Sequence, residues 1–435
     1  MAARATLIFP ILAALLVAGR GNAEEAPLGL EDLERLALAR NPTVAQGQAA
    51  IEAASGRQRQ ATLFPNPTLA YEGEDLRKRE FVRGDHHTGF LGFTLPVAGK
   101  LKKAGLVAGH EKTQATLELE VQEQRVRNAV RSLHGDLLVA RGVLREREEL
   151  RRITAEAASV SDELYNVGQA DRPDVLAVLI EASKAKADAA EASHRYRERG
   201  AALGAMVGDP GLDPARVTGD LEGASLPSAT TDLQQLLAGP EVQVAQARLQ
   251  REKAGVERAR ADRFGDPRVE VGYGYDYDTV HGLGGWTWQL RVAVPLPFFD
   301  RAQGRAAEAR GRADWAAAEG RRLELALRAR LAAEQARYQS ARERAEVYRL
   351  EILPRAQEAV LLYETKFKEV AAAYPQVLSA RRALVQARLE YLEAQGRAMH
   401  HRVLLEGFLL EGGLLPPGMV GPQPDESGPA HVKGE

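Results

Sequence analysis

From Val269 to Tyr277 the chain alternates with a period of two. Val269, Val271, Tyr273, Tyr275 and Tyr277 share one face, and Glu270, Gly272, Gly274 and Asp276 share the other. The same pattern returns with Trp286, Trp288, Leu290, Val292 and Val294 opposite Thr287, Gln289, Arg291 and Ala293. Strict alternation predicts strands, at about 267–278 and 285–295. A fainter version earlier in the chain, with Leu69 and Tyr71 and then Leu91, Phe93 and Leu95, predicts strands at about 67–76 and 87–96. Charged, turn-rich residues 76–88 and the stretch 278–285 read as solvated loops joining each pair. Pro96, Pro295 and Pro297 end strands because proline donates nothing to a ladder.

Elsewhere the spacing is helical. No proline interrupts Gly99 to Tyr165, a span of roughly 100 Å at the rise of a helix. Arg301 to Lys366 is as long, with Pro354 placed to kink it. Leu30 to Phe64, Pro173 to Val207, Leu233 to Phe264 and Pro375 to Gly412 are about half that length. Two such helices stacked end to end match one long helix. None is stable alone in water, so each needs lateral partners. Ala182, Ala185, Ala187, Ala189 and Ala190 permit close helix packing.

The order occurs twice. At an offset of 200 residues, Leu33, Leu36, Val44, Ala45, Gln46, Glu52, Ala54, Ala61, Phe64 and Pro67 recur unchanged in residues 233–267. GFTLPVAGK at 92–100 answers VAVPLPFFD at 292–300. The fold class expected is therefore mostly α with a small β part, built as a duplicated helix-strand-strand-helix unit. Its first repeat spans 24–230 and its second 231–412. The Pro/Gly-rich tail 413–435 is expected to be disordered.

Residues 1–23 carry a modest positive start at Arg4, an apolar run from Leu7 to Ala18 and small residues Gly21-Asn22-Ala23, which read as a cleaved secretory signal. Losing Arg4 and Arg20 takes the net charge from −2 to −4. With 58 basic against 60 acidic residues, nothing points to nucleic acid. The chain has no cysteine, so disulfides, thiolate metal sites and a lipidated cysteine are all excluded. No later stretch of about 18 apolar residues encodes a membrane helix. An exported chain can still span a membrane as a closed barrel. Four strands cannot close one, since the smallest have about eight. The strands are therefore expected to be completed by other copies, three of which give a twelve-stranded ring under a continuous ring of helices.

Residues 30–69 (LEDLERLALARNPTVAQGQAAIEAASGRQRQATLFPNPTL), their copy at 233–269, and the phrases LYNVGQADRPDVLAV (164–178) and LYETKFKEVAAAYPQVLSARRALVQARLEYLEA (362–394) resemble the TolC-like outer membrane efflux protein family. Tyr374-Pro375-Gln376-Val377-Leu378 is most similar to its heavy-metal branch, the CzcC- and CusC-like proteins. The resemblance implies a homotrimeric channel: a β-barrel in outer-membrane lipid and a helical tunnel across the periplasm. Its implied partners are a periplasmic adaptor and an inner-membrane pump of the RND type, which powers export of metal cations or small toxic compounds. A drug or type I secretion duct lies within the same family. A pore-free periplasmic coiled-coil scaffold is the rival, and the aromatic strands separate it from a duct.

Catalysis is not expected, because no phosphate loop, zinc helix or nucleophile elbow is present. No cofactor is expected either. His86, His87 and His281 fall in the expected outer loops and read as solvated polar residues for want of ligand spacing. Adjacent His400 and His401 point to different sides of a helix. The helix tips carry more. Asp171 and Asp174 recur around a trimer axis, and such rings attract cations. Asp171 also suits the cap of the helix starting near Pro173. The second tip lacks a glycine matching Gly168 and offers Lys366, Lys368 and Glu369 instead, of which Lys368 and Glu369 join Asp171 and Asp174 as gate candidates. Gly168, Gln169 and Ala170 are, by the resemblance, the turn that faces the adaptor.

Overall fold

The computed structural model describes residues 27–74, 86–221, 232–278, 283–369 and 374–418. The expected signal at 1–23 and His281 lie outside them. The first repeat runs α1 (Leu30–Arg40), α2 (Pro42–Thr62), β1 (Thr68–Glu74), β2 (His86–Thr94), α3 (Lys100–Asn166) and α4 (Arg172–Val207). The second runs α5 (Leu233–Leu237), α6 (Pro240–Ala261), β3 (Arg268–Asp278), β4 (Leu283–Ala293), α7 (Gln303–Val347), α8 (Leu353–Glu369) and α9 (Tyr374–Glu406). No helix among the described residues is long and apolar enough to cross a membrane.

Local chemistry explains the breaks. The helix expected over Leu30–Phe64 is two. Pro42 cannot continue α1, and the Asn41 side chain accepts the Thr43 N–H at 2.9 Å to start α2. Gly239-Pro240 divides α5 from α6 at the matching place. Gly208 ends α4 at φ 75°, and a β-carbon there would lie 2.9 Å from that of Arg40. It thus supplies both a left-handed cap and room for the close approach. In the long helix of the second repeat, Pro354 lacks an N–H, and in a regular α-helix its ring would crowd the Leu350 carbonyl. Residues Tyr348–Ile352 widen into a π turn just before it.

Each repeat buries its own core. Leu33, Ala37 and Val44 meet Val126, Val130 and Leu137 of α3 and Leu203 and Val207 of α4. In the second repeat Leu236 and Val242 meet Leu327, Leu331 and Tyr338 of α7 and Leu404 and Leu405 of α9. Each fully buried leucine contributes about 1.5–3 kcal/mol. A third cluster, Ile153 and Ala157 with Leu378, Val385 and Leu389, joins the two repeats far from the strands.

Beyond α9 the structure departs from expectation. The helix stops at Glu406, not Gly412, and the chain stays ordered to Gly418. Phe408 and Leu409 take φ of 58°, and Asn128 of α3 donates to the Gly407 carbonyl at 2.8 Å and the Leu410 carbonyl at 2.9 Å. Gln122, fully buried, donates to the Gly413 carbonyl at 3.0 Å, as does the Thr43 hydroxyl at 3.2 Å. These bonds replace those a disordered tail would make with water, so residues 413–418 are docked; 419–435 lie outside the described residues. Asn128→Ala strands two buried carbonyls and is expected to cost about 1–3 kcal/mol. A lowered denaturant midpoint checks this, and an unchanged one refutes it.

His134 sits in the same region. Its Nε2 donates to the Thr218 carbonyl at 2.9 Å, which leaves Nδ1 buried without a partner. Burial pushes its pKa below 6.5 and Arg141 adds to this, outweighing the Thr218 carbonyl. The folded chain keeps His134 neutral, whereas the unfolded chain gains a proton below about pH 6.5. Its contribution is therefore intact above that pH and is lost as pH falls through it. Wild type should lose more stability than His134→Gln between pH 7.5 and pH 5, measured by urea unfolding. Equal losses would remove His134 from the account.

Among the described residues, four strands form one antiparallel sheet in the order β1-β2-β3-β4, leaving β1 and β4 as its edges. Their limits fall within two residues of the expected ones. Leu69 pairs with Leu91, Leu91 with Val271 and Val271 with Leu290, so the apolar positions of all four strands share one face. Tyr273 stacks with Trp286 at 5.1 Å and meets the Trp288 ring at 4.7 Å in a tilted contact. Most of this face is open: Leu69 is 86 % exposed, Trp288 75 % and Leu290 71 %. The junctions beneath are tied across repeats, since Leu95 N–H donates to Pro267 O at 2.8 Å and Lys100 Nζ reaches Asp266 at 2.7 Å. Burial opposes ionisation of Asp266, but the bonds from Lys100 and Val97 outweigh it and lower its pKa.

Candidate functional site

The first tip is a built turn. Gly168 N–H donates to Tyr165 O at 3.0 Å and Gln169 N–H to Leu164 O at 2.8 Å, with Gly168 left-handed at φ 76°. Glycine fits because this double bond closes a helix only with a left-handed residue at that place. No atom lies within 4 Å of where a β-carbon at Gly168 would stand, so the turn projects into open space with exposed Gln169 and half-buried Ala170.

Asp171 holds the capping position of α4 in extended backbone, and its carbonyl accepts from Asp174 N at 3.1 Å. Its carboxylate makes no capping bond, against the expectation that it would cap the helix. Asp174 stands in the first turn, and both side chains are exposed. Two carboxylates at a helix N-terminus are favoured by its dipole. The Arg172 guanidinium lies 5.4 Å from the Tyr165 ring and braces the turn.

Lys368 and Glu369 end α8, and residues 370–373 before α9 lie outside the described residues. The cluster of Ile153 and Leu378 brings this second tip to the same end of the molecule as the first. Ion pairs cross between the hairpins there: Arg388 with Glu146 at 3.4 Å, and Arg382 with Glu181. Exposed Leu176, Leu179 and Ile180 of α4 and Leu361 and Leu362 of α8 leave apolar faces uncovered near the tips.

The two histidines of the first strand pair stand otherwise than expected, and those of α9 as expected. His86 and His87 belong to β2, not to a loop. His86 Nε2 is 2.7 Å from the Gln289 amide and its Nδ1 3.3 Å from Asp276, while His87 stacks on Tyr71. His400 contacts Ser132 at 2.8 Å and His401 contacts Glu334 at 2.7 Å, on different sides of α9. Among the described residues no group of three or more His, Cys, Asp or Glu converges as a metal site would.

One constellation escaped the sequence reading. On the polar face of the sheet, Arg291 donates to Glu72 at 2.7 Å and to Glu270 at 3.3 Å. Its guanidinium lies 4.7 Å from the ring of Phe90, which is only 2 % exposed. Alternation had put Glu270 and Arg291 on that face, but their meeting with Glu72 depends on the pairing of all four strands.

Residues 233–408 match the family described as Outer membrane efflux protein. The chain is 26 % identical over 388 residues to the "Cobalt-zinc-cadmium resistance protein CzcC" of Cupriavidus metallidurans, covering 88 % of this chain and 90 % of that one. A membrane protein from Pseudomonas aeruginosa superposes with a TM-score of 0.71 at 17 % identity, over 87 % of this chain and 92 % of its own. CusC, a structure described as reviewing folding and transmembrane channel formation, gives 0.70 at 18 %, over 88 % and 92 %.

Proposed function

Because the chain belongs to the outer membrane efflux protein family, we propose that three copies of it form a passive exit duct through the outer membrane. One observation carries this reading. The sheet has two unpaired edges and an exposed aromatic face without Asp, Glu, Lys or Arg, as lipid demands. Pairing β4 of one copy with β1 of the next satisfies both edges and closes a ring of twelve strands. The uncovered leucines of α4 and α8 suit a matching ring of helices. A pore-free scaffold gives the aromatic face nothing to cover it.

The cargo follows from chemistry and likeness together. Asp171 and Asp174 of each copy place six carboxylates around the axis at the tip, where they draw cations and repel anions. Lys368 and Glu369 flank the same entrance. The relative named for cobalt, zinc and cadmium favours metal cations over the small toxic compounds that the fold also suits. Gly168, Gln169 and Ala170 form the contact for a periplasmic adaptor, with an RND-type pump supplying cargo and energy.

The test is electrical. In planar bilayers, D171N/D174N should lower cation over anion permeability by roughly threefold at 0.1 M salt, where screening still leaves such charges visible. Unchanged selectivity would leave both aspartates as features of the turn alone. Fractionation adds a check: protein found soluble and monomeric after detergent extraction defeats the duct.

A further inference from the structure

The two faces of the sheet differ completely in charge. Among the described residues the apolar face holds no Asp, Glu, Lys or Arg, whereas the polar face holds Glu72, Glu74, Glu270 and Asp276 against Arg268 and Arg291. In a closed ring the polar face lines the lumen. Acids thus outnumber bases there, and Arg291 is the base at their centre. It spans from β4 to Glu270 on β3 and to Glu72 on β1, at the opposite edge of the sheet.

The floor beneath it is shaped for this reach. A β-carbon at Gly272 would lie 2.6 Å from the Phe90 ring. Glycine there leaves room for the Phe90 ring, and that ring carries the guanidinium above it. Fixed between two carboxylates, Arg291 cancels one of them and leaves the trio with a single negative charge. Without Arg291 the trio would carry two.

We propose that Arg291, braced by Glu72 and Glu270 over Phe90, sets the charge selectivity of the strand-lined lumen, as a second filter separate from the helix tips. This rests on the duct reading above. In a threefold ring the site recurs three times, so one substitution changes the lumen by three charges. At 0.1 M salt the screening length is about 10 Å, comparable with the reach from wall to axis.

The experiment is the reversal potential of the full chain in planar bilayers under a potassium chloride gradient. R291Q should raise potassium over chloride permeability by roughly threefold. E72Q/E270Q should lower it by a similar factor or invert it, and R291K, which keeps the charge, should match wild type. A merely structural role would not move the ratio in opposite directions for the two kinds of variant. Should R291Q fail to assemble, the singles E72Q and E270Q still read the site from the acidic side. A conducting wild type whose reversal potential is untouched by every one of these changes overturns the inference and spares the duct. A wild type that conducts no ions overturns the duct itself.

Discussion

Trp288→Arg is expected to abolish the stable membrane oligomer, while Gln289→Arg next to it is expected to leave the oligomer in place. The two residues are adjacent on β4 but face opposite ways: Trp288 pairs with Tyr273 on the apolar face, and Gln289 with Gly272 on the polar one. Trp288 stands midway along Leu283–Ala293, where a lipid-facing strand meets the centre of the bilayer. Arginine at that depth costs roughly 2–4 kcal/mol. Losing the Trp288–Tyr273 contact adds about 0.5–1.5 kcal/mol. A threefold ring multiplies both by three, which rivals the roughly 5–15 kcal/mol that holds a typical fold. Gln289→Arg adds a charge only where water reaches it. Migration on unboiled gels after membrane extraction checks the pair. Two variants that assemble equally well would show that Trp288 does not face lipid.

The second large effect lies on the wall itself. Gly274→Val should prevent the sheet from forming, whereas Gly285→Ala should be silent. A β-carbon at Gly274 would fall 2.3 Å from the carbonyl oxygen of His87 and from the Thr88 hydroxyl on β2. The first is backbone, so no change of rotamer relieves it. The neighbouring strand must move, at a cost of about 1–3 kcal/mol or more per copy. Gly285 pairs with Asp276 two pairs along the ladder, and nothing lies within 4 Å of its missing β-carbon. Yield of assembled protein in the outer membrane decides the matter. Equal yields would mean that β2 and β3 are not in this register.

Much of the fold was legible because it rests on local periodicity. The alternation at 269–277 and 286–294 depends only on neighbouring residues and the pleat of a strand. The helix at Lys100–Asn166 follows from an absence of proline, and its end follows from Gly168. What stayed hidden depends on contacts far apart in sequence. The end of α9 is set by Asn128, which lies 279 residues before Gly407. The break at Asn41 is sharpened by a bond from its amide to the Met206 carbonyl at 3.0 Å, again remote in sequence. His86 and His87 read as loop residues because their partners Gln289, Asp276 and Tyr71 lie on other strands.

The candidate entrance divides the same way. Sequence placed Asp171 and Asp174 at an interruption between two helices and suited Asp171 to a cap. It could not show whether the carboxylate turns inward to the backbone, and the structure leaves it free. That freedom is what the proposed ring of charge at the axis requires. The Arg291 site needed four strands in register, so no reading of one segment could assemble it.

The central claim is that each copy supplies only four strands of a cylinder completed by its neighbours. A high-resolution electron microscopy map of the detergent-extracted full chain tests it most directly. The account predicts a threefold particle with twelve strands, in which β4 of each copy pairs with β1 of the next and Trp288 faces the detergent belt. A particle of one chain, its four strands sealed within a water-soluble core, would contradict it.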